Sequence, residues 1–229
     1  TDITLSLSYQ PDKIEQLLGD GSEYGVMLRY ITEPSPMGTG GAYRFAADNI
    51  SETTIVFNGD ILTDFDISSL VEFHRAKDAA ATIALVPVDD PSRYGLVELD
   101  KESRVKRFLE KPEADELAKL KINTINAGIY VLEPQVLDLI PKDTNHSFEY
   151  DVFPEILNRK LPFFGRIMSD EYWLDIGTPT TYLNAHHDFL NGKIKGFDIP
   201  KTDLSDVATH AEIDKVSVIG ENCTIKPGA

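Results

Sequence analysis

The stretch from Thr54 to Val88 constrains the fold more than any other part of the chain. An apolar run, Thr54–Phe57, breaks at Asn58-Gly-Asp60. Asp66 then stands before a helical pattern that puts Ile67, Leu70, Val71 and His74 on one face. Ala81–Val88 returns as an almost unbroken apolar run. A strand that opens into a turn, a capped amphipathic helix and a buried strand together predict an α/β domain with a largely parallel sheet. The same alternation begins at the first residues, where Ile3, Leu5, Leu7 and Tyr9 alternate with polar neighbours. Pro11 then starts a short helix carrying Ile14, Leu17 and Leu18, which Gly19 stops. A strand over Val26–Ile31 precedes the Gly-rich stretch Pro36-Met-Gly-Thr-Gly-Gly41. Thr178 and Pro179 open a last helix that ends before Gly192.

After Phe197 the pattern changes. Ile213, Ile219 and Ile225 recur every six residues, and Ser217, Cys223 and Ala229 follow each at four places. Such hexapeptides predict the beginning of a left-handed parallel β-helix, with the isoleucines turned inward and the small residues at the corners. The expected organisation is a domain over residues 1–197, a linker over 198–210 and the start of the β-helix over 211–229. The chain opens inside a strand pattern without an initiator Met and stops during its third hexapeptide, so it is expected to be cut from a longer fold.

Composition narrows the chemistry. The 229 residues carry a formal charge of −16, which argues against nucleic acid or an anionic membrane as partner. It suits phosphorylated substrates only if a divalent metal and a few placed cations hold the phosphates. One cysteine, Cys223, fits a reducing compartment, and neither a signal peptide nor a membrane-length apolar run is present, so a cytoplasmic protein is expected.

Several residues are placed to do chemistry. Asp60 and Asp175 each follow a strand pattern and enter a turn, where α/β folds gather ligands. Two such carboxylates suit Mg²⁺, or each simply caps its turn, and spacing alone leaves both open. Glu110-Lys111-Pro112 ends a strand over Val105–Leu109 and offers an acceptor for hydroxyls and a point charge for a phosphate, or an exposed ion pair. Gly38 and Thr39 lie in a loop whose backbone N–H groups can approach a nucleotide. Asn126-Ala-Gly-Ile-Tyr130 presents an amide at a strand start, as a shelf for hydroxyls or as a turn. Glu149 and Asp151 precede a helix, with Asp151 read as a cap. His186 and His187 are read as structural, Trp173 as core, and no Ser-His-Asp or Cys-His arrangement stands out.

In this order, Gly-Thr-Gly-Gly, Asn-Gly-Asp, Tyr-Gly, Glu-Lys-Pro, Asn-Ala-Gly-Ile-Tyr and Trp-Leu-Asp-Ile-Gly-Thr-Pro closely resemble the NDP-sugar pyrophosphorylase family from residue 1 to about Leu190. The resemblance implies a Rossmann-like nucleotide-diphospho-sugar transferase fold with a mostly parallel mixed sheet. It also implies transfer of a nucleotidyl group from an NTP to a sugar 1-phosphate with release of pyrophosphate. By the same resemblance Asp60 and Asp175 hold Mg²⁺, Lys111 binds the sugar phosphate, and Glu110, Asn126 and the Gly95 backbone contact the sugar. Gly38 and Thr39 lie beside the base, and Glu149 touches the sugar. The two aspartates are then expected within about 8 Å of each other, sharing one ion. The motif around Asp175 and the hexapeptides look most like the mannose-1-phosphate guanylyltransferases, with the glucose-1-phosphate thymidylyl- and uridylyltransferases close, so GTP and mannose 1-phosphate are the first expected pair, in a homo-oligomer. The family's Gly-rich signature with Thr-Arg lies upstream of anything seen here, so these 229 residues alone are expected to be inactive. Three other readings stand beside this one: a non-catalytic regulatory subunit of such an enzyme, an NDP-sugar-dependent glycosyltransferase, for which Asp64-Phe-Asp66 is a literal Asp-x-Asp, and acyl transfer by the hexapeptide region.

Overall fold

A short connection limits strand direction, and a long one leaves it open. A parallel neighbour needs a crossover of about a dozen residues or more, usually helical, whereas an antiparallel one needs only a turn. In the computed structural model, which describes residues 1–47, 50–110, 122–198, 213–214, 217–220 and 222–228, both kinds occur. The described residues fall into two compact units, one of residues 1–58 and 66–169 and the other of residues 59–65 and 170–229.

In the first unit, β1 (Asp2–Leu7) leads through α1 (Pro11–Leu18) to β2 (Met27–Thr32), and these two strands pair in parallel. Pro11 heads α1 and Gly19, at φ 57, ends it, since only a residue without Cβ adopts that backbone cheaply. The Gly-rich stretch becomes the start of α2 (Gly38–Ala46). The strands β3 (Thr54–Phe57), β5 (Ala81–Pro87), β6 (Gly95–Leu99), β7 (Val105–Glu110), β8 (Thr124–Leu132) and β9 (Phe163–Ile167) form one six-stranded sheet. The order is β7-β6-β8-β5-β9, with β3 also on β8. Only β5–β9 is parallel in this sheet among the described residues; β3–β8, β5–β8, β6–β7 and β6–β8 are antiparallel. The largely parallel sheet expected from the sequence is therefore corrected to a mixed, mainly antiparallel one. Residues 100–104 are too few for a crossover, and the side-chain period that marks a strand carries no information on its direction.

β8 is the strand on which the sheet turns. Its start lies between β6, through Leu96–Ile125, and β5; its end lies between β5 and β3. The exchange occurs at Gly128, whose φ of 73 accompanies a register shift against β5. Beneath the sheet, Tyr130, Phe148, Phe153 and Phe163 are each 1% exposed or less. Their rings meet in sequence at 5.0–5.5 Å between centroids, and burying each contributes roughly 1.5–3 kcal/mol. The helix α3 (Ile67–Ala76) buries Leu70 and His74, and Asp66 caps it by accepting from the Ser68 and Ser69 amides at 3.0 and 3.4 Å. A π-helical turn, Phe148–Val152, runs on into α4 (Phe153–Asn158).

The second unit pairs β4 (Ile61–Thr63) with β10 (Trp173–Asp175) in antiparallel fashion. It continues into α5 (Pro179–Leu190), whose Thr178 and Thr181 form a reciprocal cap. In the hexapeptide region Ile213, Ile219 and Ile225 are half-buried, Cys223 is exposed, and the described residues make no extended strand. Most of the expected linker, and Ala229, lie outside the described residues. No described helix is long and apolar enough to cross a membrane.

Candidate active site

Pairing of β4 with β10 sets Asp175 opposite Ile61, and the Ile176 amide donates to the Asp60 carbonyl at 2.9 Å. Two aspartates 115 residues apart in the sequence thus become neighbours. Gly177 lies between them. A Cβ built there would stand 3.0 Å from Asp175 Oδ1 and 3.1 Å from Asp60 Oδ2, so those oxygens are no more than about 6 Å apart. Asp175 Oδ1 also accepts from the Gly177 amide at 2.8 Å, which fixes its rotamer. Asp60 is exposed and Asp175 half-buried. Two hard oxygen donors over a residue with no side chain fit Mg²⁺, which takes one or two carboxylates and completes its shell with water and phosphate. Among the described residues no cluster of three or more His, Cys, Asp or Glu offers a richer site.

Asp64 and Asp66 have other duties. Asp64 accepts from the Tyr172 and Lys195 amides at 2.7 and 2.9 Å, and Asp66 caps α3. Both carboxylates of the Asp-x-Asp sequence are therefore committed to backbone.

Within the first unit a second constellation forms. Gly38, at φ 71, has no room for a Cβ, which would stand 2.6 Å from the His146 carbonyl. That carbonyl also accepts from the Gly40 and Gly41 amides at 2.9 and 3.0 Å, so the Gly-rich turn is tied to the segment that leads into Ser147. Thr39 Oγ1 accepts from the Phe148 amide and donates to Glu149 Oε2, both at 2.9 Å. Ser147 Oγ donates to the same Glu149 oxygen at 2.6 Å, and the Tyr130 hydroxyl reaches Oε1 at 3.4 Å. Tyr130 in turn accepts from Asn126 Nδ2 at 2.9 Å, and Asn126 Oδ1 accepts from the Gly128 amide at 2.9 Å. Thr39, Glu149 and Asn126, predicted separately, are thus joined in one hydrogen-bonded chain. Burial, with the Glu149 charge beside it, holds the Tyr130 phenol well above its ordinary pKa, so it stays protonated.

Glu110 pairs with Gly95 across β6–β7, and a Cβ on Gly95 would stand 2.5 Å from Glu110 Oε2 and 2.8 Å from Phe108 Cζ. The glycine is itself buried. It lets the Glu110 carboxylate settle over the strand. Lys111 lies outside the described residues.

Other expectations sort out simply. Asp151 accepts from the Ser147 amide at 2.8 Å and so caps the turn into α4, with Ser147 as the N-cap. Glu149 serves the hydroxyl network instead. His186 stacks edge-on to Tyr182 at 4.6 Å, and Trp173 is only half-buried rather than core. Sequence reasoning missed Gly177, Ser147 and Tyr130 as parts of the site. Tyr130 was legible, since it lies four residues after Asn126 in one strand, on the same face.

A mixed sheet with helices against it, a Gly-rich turn bound to a polar network and strand-end aspartates define an α/β fold of the nucleotidyltransferase type. The chain belongs to the nucleotidyl transferase family, whose model matches residues 1–192. It is similar to the mannose-1-phosphate guanylyltransferase of Mycobacterium tuberculosis, at 39% identity over 192 residues, covering 83% of this chain and 52% of that protein. Likeness to the mannose-1-phosphate guanyltransferase of Schizosaccharomyces pombe runs at 35% over 232 residues, covering 97% and 61%. The chain thus spans about half to three-fifths of the length of these curated relatives. Among solved structures, HddC from Yersinia pseudotuberculosis superposes with a TM-score of 0.69 at 32% identity, covering 82% of this chain and 78% of that one. A structure of HddC complexed with GMP-PN gives 0.68 at 31% over the same shares.

Proposed function

We propose that the protein carrying this chain joins an NTP and a sugar 1-phosphate into an NDP-sugar with release of pyrophosphate. The convergence of Asp60 and Asp175 over Gly177, in a chain of this family, is the observation that carries the reading. A phosphate oxygen of the sugar 1-phosphate attacks the α-phosphorus of the NTP in line. The bond from that phosphorus to the bridging oxygen breaks, and pyrophosphate leaves with the electron pair. No covalent enzyme intermediate is needed, so the chain's contribution is positioning and charge compensation. Asp60 and Asp175 hold Mg²⁺, which supplies positive charge to the phosphates. Glu110, Asn126 and the Gly95 backbone contact the sugar, and Glu149 touches it as well. Lys111 binds the sugar phosphate, and Gly38 and Thr39 lie beside the base.

GTP and mannose 1-phosphate are the favoured pair. The mannose-1-phosphate guanylyltransferase names of the relatives support this choice, and the HddC complex with GMP-PN supports the guanine. The spacing of Ile213, Ile219 and Ile225 supports a β-helix start after the linker, and with it a homo-oligomer; the single cysteine supports a reducing, cytoplasmic setting. Sedimentation of a monomer at micromolar concentration would count against the oligomer. A coupled pyrophosphate assay with GTP and mannose 1-phosphate, run with Mg²⁺, tests the activity. Turnover with that pair above glucose 1-phosphate and UTP is the expected result, and no pyrophosphate from any pair would favour the regulatory-subunit reading.

A further inference from the structure

Asn126 and Glu149 are half-buried, whereas the Tyr130 side chain behind them is wholly buried, its ring between Phe148 and Phe153 at 5.0 and 5.1 Å. We propose that Tyr130 is a positioning residue: its buried hydroxyl sets the Asn126 amide and the Glu149 carboxylate in one orientation, so that a sugar hydroxyl meets a fixed donor and a fixed acceptor. This rests on the sugar 1-phosphate reading given above.

The direction of each bond follows from donor and acceptor capacity. The phenol has one proton, and a carboxylate can only accept, so that proton goes to Glu149 Oε1. The phenol oxygen is then left to accept, and the group it accepts from is Asn126 Nδ2. The amide cannot flip, because its oxygen would then face the phenol oxygen and its nitrogen would face the Gly128 N–H. Among the described residues one N–H of Nδ2 and one lone pair of Oδ1 remain for a ligand. Glu149 already accepts three hydroxyls, from Thr39, Ser147 and Tyr130, of the roughly four its two oxygens can take. Among the described residues a single acceptor position is left. The hydroxyl of a buried tyrosine thereby decides which hydroxyl geometry the half-buried pair reads.

Tyr130→Phe keeps the ring and removes only this bond. In the protein carrying this chain, KM for mannose 1-phosphate should rise about tenfold, while KM for GTP and kcat stay within about twofold. Preference for mannose 1-phosphate over glucose 1-phosphate should fall by a similar factor. In a background carrying both Asn126→Ala and Glu149→Ala the same substitution should change KM for the sugar phosphate by less than about twofold, since both groups through which it acts are gone. A merely structural role for Tyr130 would add its effect in either background and would raise both KM values. Unmutated protein provides a check independent of how the variant folds: one Asn126 side-chain amide proton should exchange slowly in NMR, and rapid exchange of both would overturn the proposal. Turnover with unchanged KM in Tyr130→Phe overturns it while sparing the activity. No turnover by the unmutated protein overturns both.

Discussion

At the scale of single residues, the most sensitive position is one without a side chain. Gly177 leaves open the space that both aspartates border, so Gly177→Ala should push a methyl to about 3 Å from each carboxylate. The Mg²⁺ concentration for half-maximal turnover should rise at least about tenfold while urea unfolding stays nearly unchanged, because the cost falls on a ligand rather than on packing. An unchanged magnesium titration would contradict the assignment of the metal. Asp60→Ala and Asp175→Ala should lower kcat far more than KM, by about 10² or more, since lost charge compensation is felt most in the transition state. A change confined to KM would point instead to ground-state binding. From spacing alone the pair was visible only as two strand-end aspartates, and it was the resemblance of the ordered motifs that joined them. Nothing in spacing could show that β4 and β10 bring them together, since strand pairing across 115 residues is not a local property.

Elements were more legible than their pairings. The helix caps followed from short-range chemistry: Asp66, Thr178 and Gly19 each do what their residue types favour. Asp66→Ala should therefore cost about 1 kcal/mol of stability, read as a lower urea midpoint at constant slope. Strand direction was not legible, because it depends on which distant segment supplies the neighbour. The link between α3 and the end of β8 was likewise hidden. His74 bridges Thr82 at 2.8 Å and Glu133 at 3.1 Å, and Glu133 also accepts from Thr53 at 2.7 Å. The Thr53 hydroxyl above all, with His74 adding to it, lowers the Glu133 pKa in the folded state. A depressed carboxylate contributes stability above its unfolded value and loses it as pH falls through the folded one. Glu133→Gln should thus lower the urea midpoint at pH 7, and the gap to the unmutated protein should close below about pH 4.5. A gap constant down to pH 3 would show that charge is not what Glu133 contributes.

At the largest scale, the charge of −16 on these 229 residues opposes the approach of a triphosphate. At saturating Mg²⁺, raising salt from about 20 to about 150 mM should screen that repulsion and lower KM for the NTP, the reverse of what a basic cleft would give. The arrangement of β8 has a consequence for biosynthesis. Ile83 and Leu85 on β5 are fully buried in the finished protein, yet the strand that covers their edge ends only at Leu132, 45 residues after β5 ends at Pro87. At roughly 5–20 residues per second, a ribosome takes about 2–9 s to make that stretch. Throughout it the nascent chain carries an apolar strand with both edges open, the form most prone to join a neighbour's strand. A slow codon or a stall between Pro87 and Leu132 would lengthen that exposure, and so the yield of this protein should depend on how quickly that one stretch of its message is read.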